Sequence, residues 1–69
     1  METLYRQKLG ENVRIARERA GISQRDFCLM AGISKPVLIG IEKGARNIRL
    51  STLIRVAEGL GCEPWELLK

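Results

Sequence analysis

Twelve residues of this chain carry a lysine or arginine charge, and they are unevenly placed. Ten lie in residues 1–50 (Arg6, Lys8, Arg14, Arg17, Arg19, Arg25, Lys35, Lys43, Arg46 and Arg49) against five acids, for a net +5. Residues 51–69 hold Arg55 and Lys69 against Glu58, Glu63 and Glu66, for a net −1. A basic front and a mildly acidic tail suit a polyanion held on one face. The same balance also fits ordinary solvated charge.

Other chemistries are less well supplied. The chain has no His, the commonest general base, and no carboxylate pair in an apolar setting that would tune it for acid–base work, so an enzyme is not expected. Its two cysteines, Cys28 and Cys62, are far apart in sequence, and two thiolates alone rarely build a structural zinc site. Neither a metal nor a cofactor is expected. Two reduced, buried thiols are favoured, with a Cys28–Cys62 bridge left open. Both positions suit core packing, since free Cys behaves as a small hydrophobe. No apolar run approaches the roughly 18 residues of a membrane span. The opening METLYRQKLGEN is too polar for a signal peptide. The expectation is a cytoplasmic protein.

The elements that position the charges are short helices separated by Gly and Ser. At 69 residues the chain reads as a single domain, 1–69, without linker or effector domain. A domain of this size buries only roughly 60% of its unfolded surface and is marginally stable. A first helix is expected from about Thr3 to Ala20, with Leu9, Val13, Ala16 and Ala20 on one face and Tyr5 extending it. Leu4 and Ile15 fall on the other side. Gly21 ends this helix and Ile22 folds back onto it. A second runs from Ser23 to Ala31, capped by Ser23, with Asp26 placed to reach back and with Phe27, Cys28 and Ala31 inward. A third runs from Ser34 to Lys43, with Pro36 in its first turn, Leu38 and Ile41 on its core stripe and Gly44 at its end. Only Gly32 and Ile33 separate the second helix from the third helix's cap, which is the spacing of a helix-turn-helix over about 23–43. The loop GARNIR exposes Arg46, Asn47 and Arg49. A fourth helix, about Leu50 to Leu60, places Leu53, Val56, Ala57 and Leu60 on one stripe. A fifth follows in EPWELLK, with Pro64 in its first turn.

In order and separation, LGENVRIARERAGISQRDF, GISKPVLIGIEKG and LSTLIRVAEGLGCEPWELL resemble the Cro/Xre family of phage-repressor-like helix-turn-helix domains. The likeness covers about Leu9 to Leu68. It rests most on Ser23-Gln24, on Ile41-Glu42-Lys43-Gly44 and on Leu53 through Cys62. It implies an all-α, compact five-helix bundle that binds duplex DNA, usually as a homodimer, with the third helix in the major groove and the second across the backbone. It also implies that Gln24 touches a phosphate and braces the third helix. Base readers would be Lys35, Pro36 and Gly40. Glu42 would hold neighbouring elements together, paired with Arg14 or Arg17.

Of those readers only Lys35 can hydrogen-bond through its side chain. Val37 and Ile39 offer methyl groups for thymine, and the helix has no Arg, Asn or Gln to pair bidentately with a purine edge. Affinity is then expected from phosphates, through Gln24, Arg25, Ser34, Lys43, Arg46, Asn47 and Arg49, with Arg14 or Arg17 as further donors. Trp65, Leu67 and Leu68 are dimer-interface candidates. The competing reading keeps the fold but makes it a protein-interaction module, an adaptor or antitoxin-like subunit. Its docking surface would be Leu29, Met30, Pro36, Val37 and Ile39. The basic residues around the turn favour DNA. No small-molecule ligand and no membrane partner are expected.

Overall fold

Ser23 and Ser34 each stand one residue before a helix, and both act as caps. Ser23 Oγ accepts from the Asp26 N–H at 3.0 Å, and Ser34 Oγ from the Val37 N–H at 3.3 Å. Asp26 is one methylene shorter than the glutamate of a full capping box, and among the described residues it makes no return bond to Ser23. A computed structural model describes residues 2–69. It contains α1 (Glu2–Arg19), α2 (Gln24–Ala31), α3 (Lys35–Glu42), α4 (Leu50–Leu60) and a C-terminal 3-10 helix (Pro64–Leu68). No helix among the described residues is long and apolar enough to cross a membrane.

The expected fifth helix is thus a single 3-10 turn. Five residues starting at Pro64, which has no N–H, cannot build an i→i+4 ladder. The turn closes instead by an i→i+3 bond from Glu66 N–H to Glu63 O at 3.0 Å, and Glu66 reaches back to accept from the Glu63 N–H at 3.0 Å.

The core comprises Leu9 and Val13 of α1, Phe27, Cys28 and Ala31 of α2, Leu38 and Ile41 of α3, Val56 and Ala57 of α4, and Leu67. Leu53 and Leu60 pack against its edge, as does Ile22, whose N–H returns to Arg17 O at 3.1 Å. α1 lies against α3, α4 and the 3-10 helix, and α2 against α3 and α4. The two cysteines are free thiols, Cys28 buried and Cys62 half-buried. Burial raises both thiol pKa values, and Glu66 and Glu63 raise that of Cys62 further.

The buried row of α1 differs from its apolar pattern. Leu9, Gly10, Val13 and Arg17 are buried, whereas Ala16 is half-buried, Ala20 is exposed and Tyr5 is 46% exposed. Leu9, Val13 and Arg17 follow at successive intervals of four, so they share a face. A pattern built on apolar residues passes over an arginine, and the partner that makes its burial affordable lies on another helix. Gly10 is buried for a different reason: a Cβ there would come 2.2 Å from Ile41 O. The backbones of α1 and α3 touch at this point.

Candidate nucleic-acid interface

α3 is held from behind by an ionic cluster. Arg17 donates from Nε to Glu42 Oε2 at 2.8 Å and from Nη2 to Glu42 Oε1 at 3.1 Å. Its Nη1 donates to Ile22 O at 2.8 Å. Gln24 Nε2 adds a bond to Glu42 Oε1 at 3.2 Å. The Arg17 and Glu42 side chains are only 10% and 6% exposed. Bidentate Arg–carboxylate pairing fixes orientation as well as distance. Hydrogen bonding to Glu42 raises the Arg17 pKa, against the opposing effect of burial. One carboxylate therefore joins the end of α1, the start of α2 and the end of α3.

This assigns two expected roles. Glu42 is structural, and its partner is Arg17. Being enclosed, Arg17 is withdrawn from the phosphate donors. Arg14 pairs with Glu18 on exposed α1 at 3.1 Å. Gln24 does brace α3, through Glu42.

The rest of α3 faces two ways. Leu38 and Ile41 are fully buried, and Val37 packs half-buried against the core, so most of the greasy run is the helix's inner side. Lys35, Pro36 and Lys43 are exposed; Ile39 and Gly40 are half-buried. Ser34 and Arg25 are exposed as well. The apolar surface envisaged across α2 and α3 is reduced: Leu29 is 74% and Met30 57% exposed, but Val37 is half-buried against the core.

After α3 the chain reverses at Gly44, whose φ of +68° is a left-handed conformation that favours glycine. The Ala45 N–H then donates to Gly40 O at 3.0 Å, bringing the loop back beside α3. Arg46, Asn47 and Arg49, all exposed, line a hollow together with Val37, Ile48 and Thr52. α4 begins at the same place, and its N-cap, Arg49, supplies no side-chain bond to the first turn. Thr52 of α4, which borders this hollow, was not among the expected contact residues. Arg49 is not a Ser, Thr, Asp or Asn cap; the Thr52 N–H donates to Arg49 O at 3.0 Å, and no side chain caps the N–H groups of Leu50 and Ser51.

Five cations, Arg25, Lys35, Lys43, Arg46 and Arg49, are therefore exposed on the helix-turn-helix and its following loop. Glu42 is enclosed, which leaves Asp26 as the exposed acid of residues 23–49.

The carboxyl-terminal candidates divide. Trp65 is 62% exposed, with Lys69 Nζ 4.9 Å from its ring centroid. Leu67 is only 3% exposed and belongs to the core, where Asn12 Nδ2 donates to its carbonyl at 2.9 Å. It is corrected from interface to interior: the 3-10 turn points it inward between α1 and α4. Leu68 is half-buried. Leu50 and Ile54, 69% and 41% exposed, are four apart on α4 and were not singled out, though both lie off its core stripe.

A family model described as Helix-turn-helix matches residues 13–67. An uncharacterized HTH-type transcriptional regulator of Haemophilus influenzae is 37% identical over 46 residues, covering 67% of this chain and 47% of the relative, so the chain spans about half of that protein. Control protein C.SmaI of Serratia marcescens is 35% identical over 60 residues, covering 87% of this chain and 71% of the relative. Among solved structures, the restriction-modification controller protein C.AhdI from Aeromonas hydrophila superposes with a TM-score of 0.85 at 32% identity, over 90% of this chain and 94% of that one. Fold and matched residues agree: the chain belongs to the helix-turn-helix family of DNA-binding transcriptional regulators.

Proposed function

We propose that this chain binds duplex DNA with α3 in the major groove and α2 across the backbone, and regulates transcription from the site it occupies. The observation that carries the proposal is the division of charge around α3: its one carboxylate is enclosed by Arg17 and Gln24, and five cations around it are exposed with no ion-pair partner among the described residues. Gln24, Arg25, Ser34, Lys43, Asn47 and Arg49 serve as backbone ligands. The uncapped start of α4 adds N–H donors and the favourable end of a helix dipole. Lys35 reads a guanine edge, and Pro36 and Ile39 meet thymine methyls. The similarity to control protein C.SmaI and to the controller C.AhdI supports a regulatory role. The protein-interaction alternative is not favoured.

Affinity for random duplex DNA measured across a salt series tests this. The slope of log K against log salt is expected near −0.9 per neutralised phosphate, hence several units. A flat series without binding rejects the proposal.

A homodimer is part of the same reading. Leu50 and Ile54 share one face of α4, and Trp65 and Leu68 lie on the 3-10 helix packed against it. Paired through that face, two copies of α3 would meet half-sites about 34 Å apart. Sedimentation of the wild type against Ile54→Asp is expected to show a dimer that the variant loses.

A further inference from the structure

The loop after α3 has a second side. Arg46, Asn47, Ile48 and Arg49 line the hollow described above, and the same residues also wall a cleft of about 300 Å³ shared with α1, α4 and the 3-10 helix. Apolar side chains make up most of that cleft, among them Tyr5 and Leu9 of α1, Leu53 of α4 and Leu68. Its charged lining is Arg6, Arg46, Arg49 and Glu2. The Glu2 carboxylate is already engaged by Arg6 Nη2, four residues on along α1. Arg6 Nε, by contrast, is buried and has no hydrogen-bond partner among the described residues. Buried donors are almost always satisfied, and one that is not marks a place where water, an ion or a ligand supplies the acceptor. Arg46 and Arg49 have no ion-pair partner among the described residues either. The stem of Arg46 lies against α3, where a Cβ at Gly40 would come 3.1 Å from Arg46 Cδ.

We propose that this cleft binds a small amphipathic carboxylate, its hydrocarbon against Leu9, Leu53 and Leu68 and its oxyanion held by Arg6, Arg46 and Arg49, and that occupancy weakens the hold on duplex DNA. The lining selects this occupant. Three guanidinium groups against one engaged carboxylate call for an anion, and guanidinium pairs with a carboxylate through two parallel bonds. A leucine-lined interior calls for apolar carbon and leaves the further charges of a polyphosphate unsolvated. The volume lies at the small end of ligand sites, which suits a short chain. The regulatory half of the proposal rests on the DNA-binding reading above. An anion bound on one side of the loop neutralises cations that serve phosphates on the other. Ligand and duplex therefore oppose each other, each lowering the other's affinity by the same factor.

Octanoate is the probe, with octanol as its uncharged control, titrated at matched sodium concentration into the isotope-labelled chain and followed by amide chemical shifts. Octanoate is expected to shift Tyr5, Arg6, Ile48 and Leu53, and octanol to bind about tenfold more weakly. Arg6→Gln should weaken octanoate about tenfold as well, while its affinity for duplex without octanoate stays at the wild-type value. Saturating octanoate should weaken duplex binding by the wild type about tenfold and lower the salt slope by about two units, and the same concentration should leave Arg6→Gln unaffected. Equal binding of octanoate and octanol, an unchanged octanoate affinity in Arg6→Gln, or shifts centred on Leu29 and Met30 overturns the site. No binding by a chain that sediments as a dimer also overturns it, in favour of a second copy covering the cleft. The wild-type shifts decide the site even if Arg6→Gln does not fold. If octanoate binds as stated and duplex affinity does not change, the regulatory half is overturned. If the wild type binds no duplex, the DNA-binding reading falls, and the octanoate shifts still decide the site.

Discussion

The inner and outer faces of α3 use charge in opposite ways. Inside, Glu42 is gripped by two bonds from Arg17 and one from Gln24, with both members of the ion pair nearly enclosed. Outside, Lys35, Lys43, Arg46 and Arg49 are exposed, and none has an ion-pair partner among the described residues. The inner charges fix where the helix lies; the outer ones are left for a ligand. The two glycines of this region divide in the same way. Gly10 lets one backbone touch another, and Gly40 lets a side chain lie on a helix surface. A helix this short, eight residues, has little stability of its own, so its orientation must come from what it packs on.

Breaking the inner face should have the largest effect. Arg17→Ala leaves Glu42 enclosed with only Gln24 as partner, and losing one member of a buried pair costs about 3–5 kcal/mol. A 69-residue domain has a total stability of roughly 3–10 kcal/mol, so thermal melting should drop by well over 10 °C, and DNA affinity should fall with the folded fraction. Gly10→Ala comes next. Helix propensity alone favours Ala by about 1 kcal/mol, but a Cβ 2.2 Å from a main-chain oxygen forces α1 and α3 apart. Overpacking of about 3 kcal/mol should outweigh the gain, and calorimetry should read a net loss. The sign is the sharp point, because helix propensity alone expects a gain.

On the outer face, Lys43→Ala or Arg49→Ala should leave stability within about 0.5 kcal/mol. Each should reduce the steepness of the salt dependence by about one unit, alike for all duplex sequences, in a binding titration. A large stability loss from either would mean that the outer cations also hold the fold. The smallest effect concerns Cys28. Burial raises its thiol pKa, so the folded protein holds the proton more tightly than the unfolded chain. That preference favours the fold below the unfolded thiol's pKa and is lost as pH rises through the folded value. At neutral pH, alkylation of Cys28 should be far slower in the folded protein than in denaturant, with half-buried Cys62 labelled sooner.

Much of this arrangement could be read from residue order. The caps at Ser23 and Ser34, the stop at Gly61 and the stripe of α4 are local signals, each settled within a few residues, and they appear where expected. The inward side of α2 is also plain from the spacing of Phe27, Cys28 and Ala31. Arg17 was harder. Its burial depends on a carboxylate 25 positions away, and nothing near it in sequence distinguishes it from Arg14 or Arg19. Leu67 and Trp65, two residues apart in a single turn, could each have faced inward; packing of that turn against α1 and α4 chose Leu67.

From its sequence alone this chain is all-α, with a helix-turn-helix near its middle and an excess of positive charge in its first 50 residues. Composition, caps and apolar intervals suffice for that because each acts within a turn or two of helix. Which arginine is enclosed, which glycine lets two backbones touch, and where the stem of Arg46 lies were decided only when α1, α3 and the loop after α3 came together. Those properties belong to pairs of residues far apart along the chain, and a pair has no distance until the chain is folded.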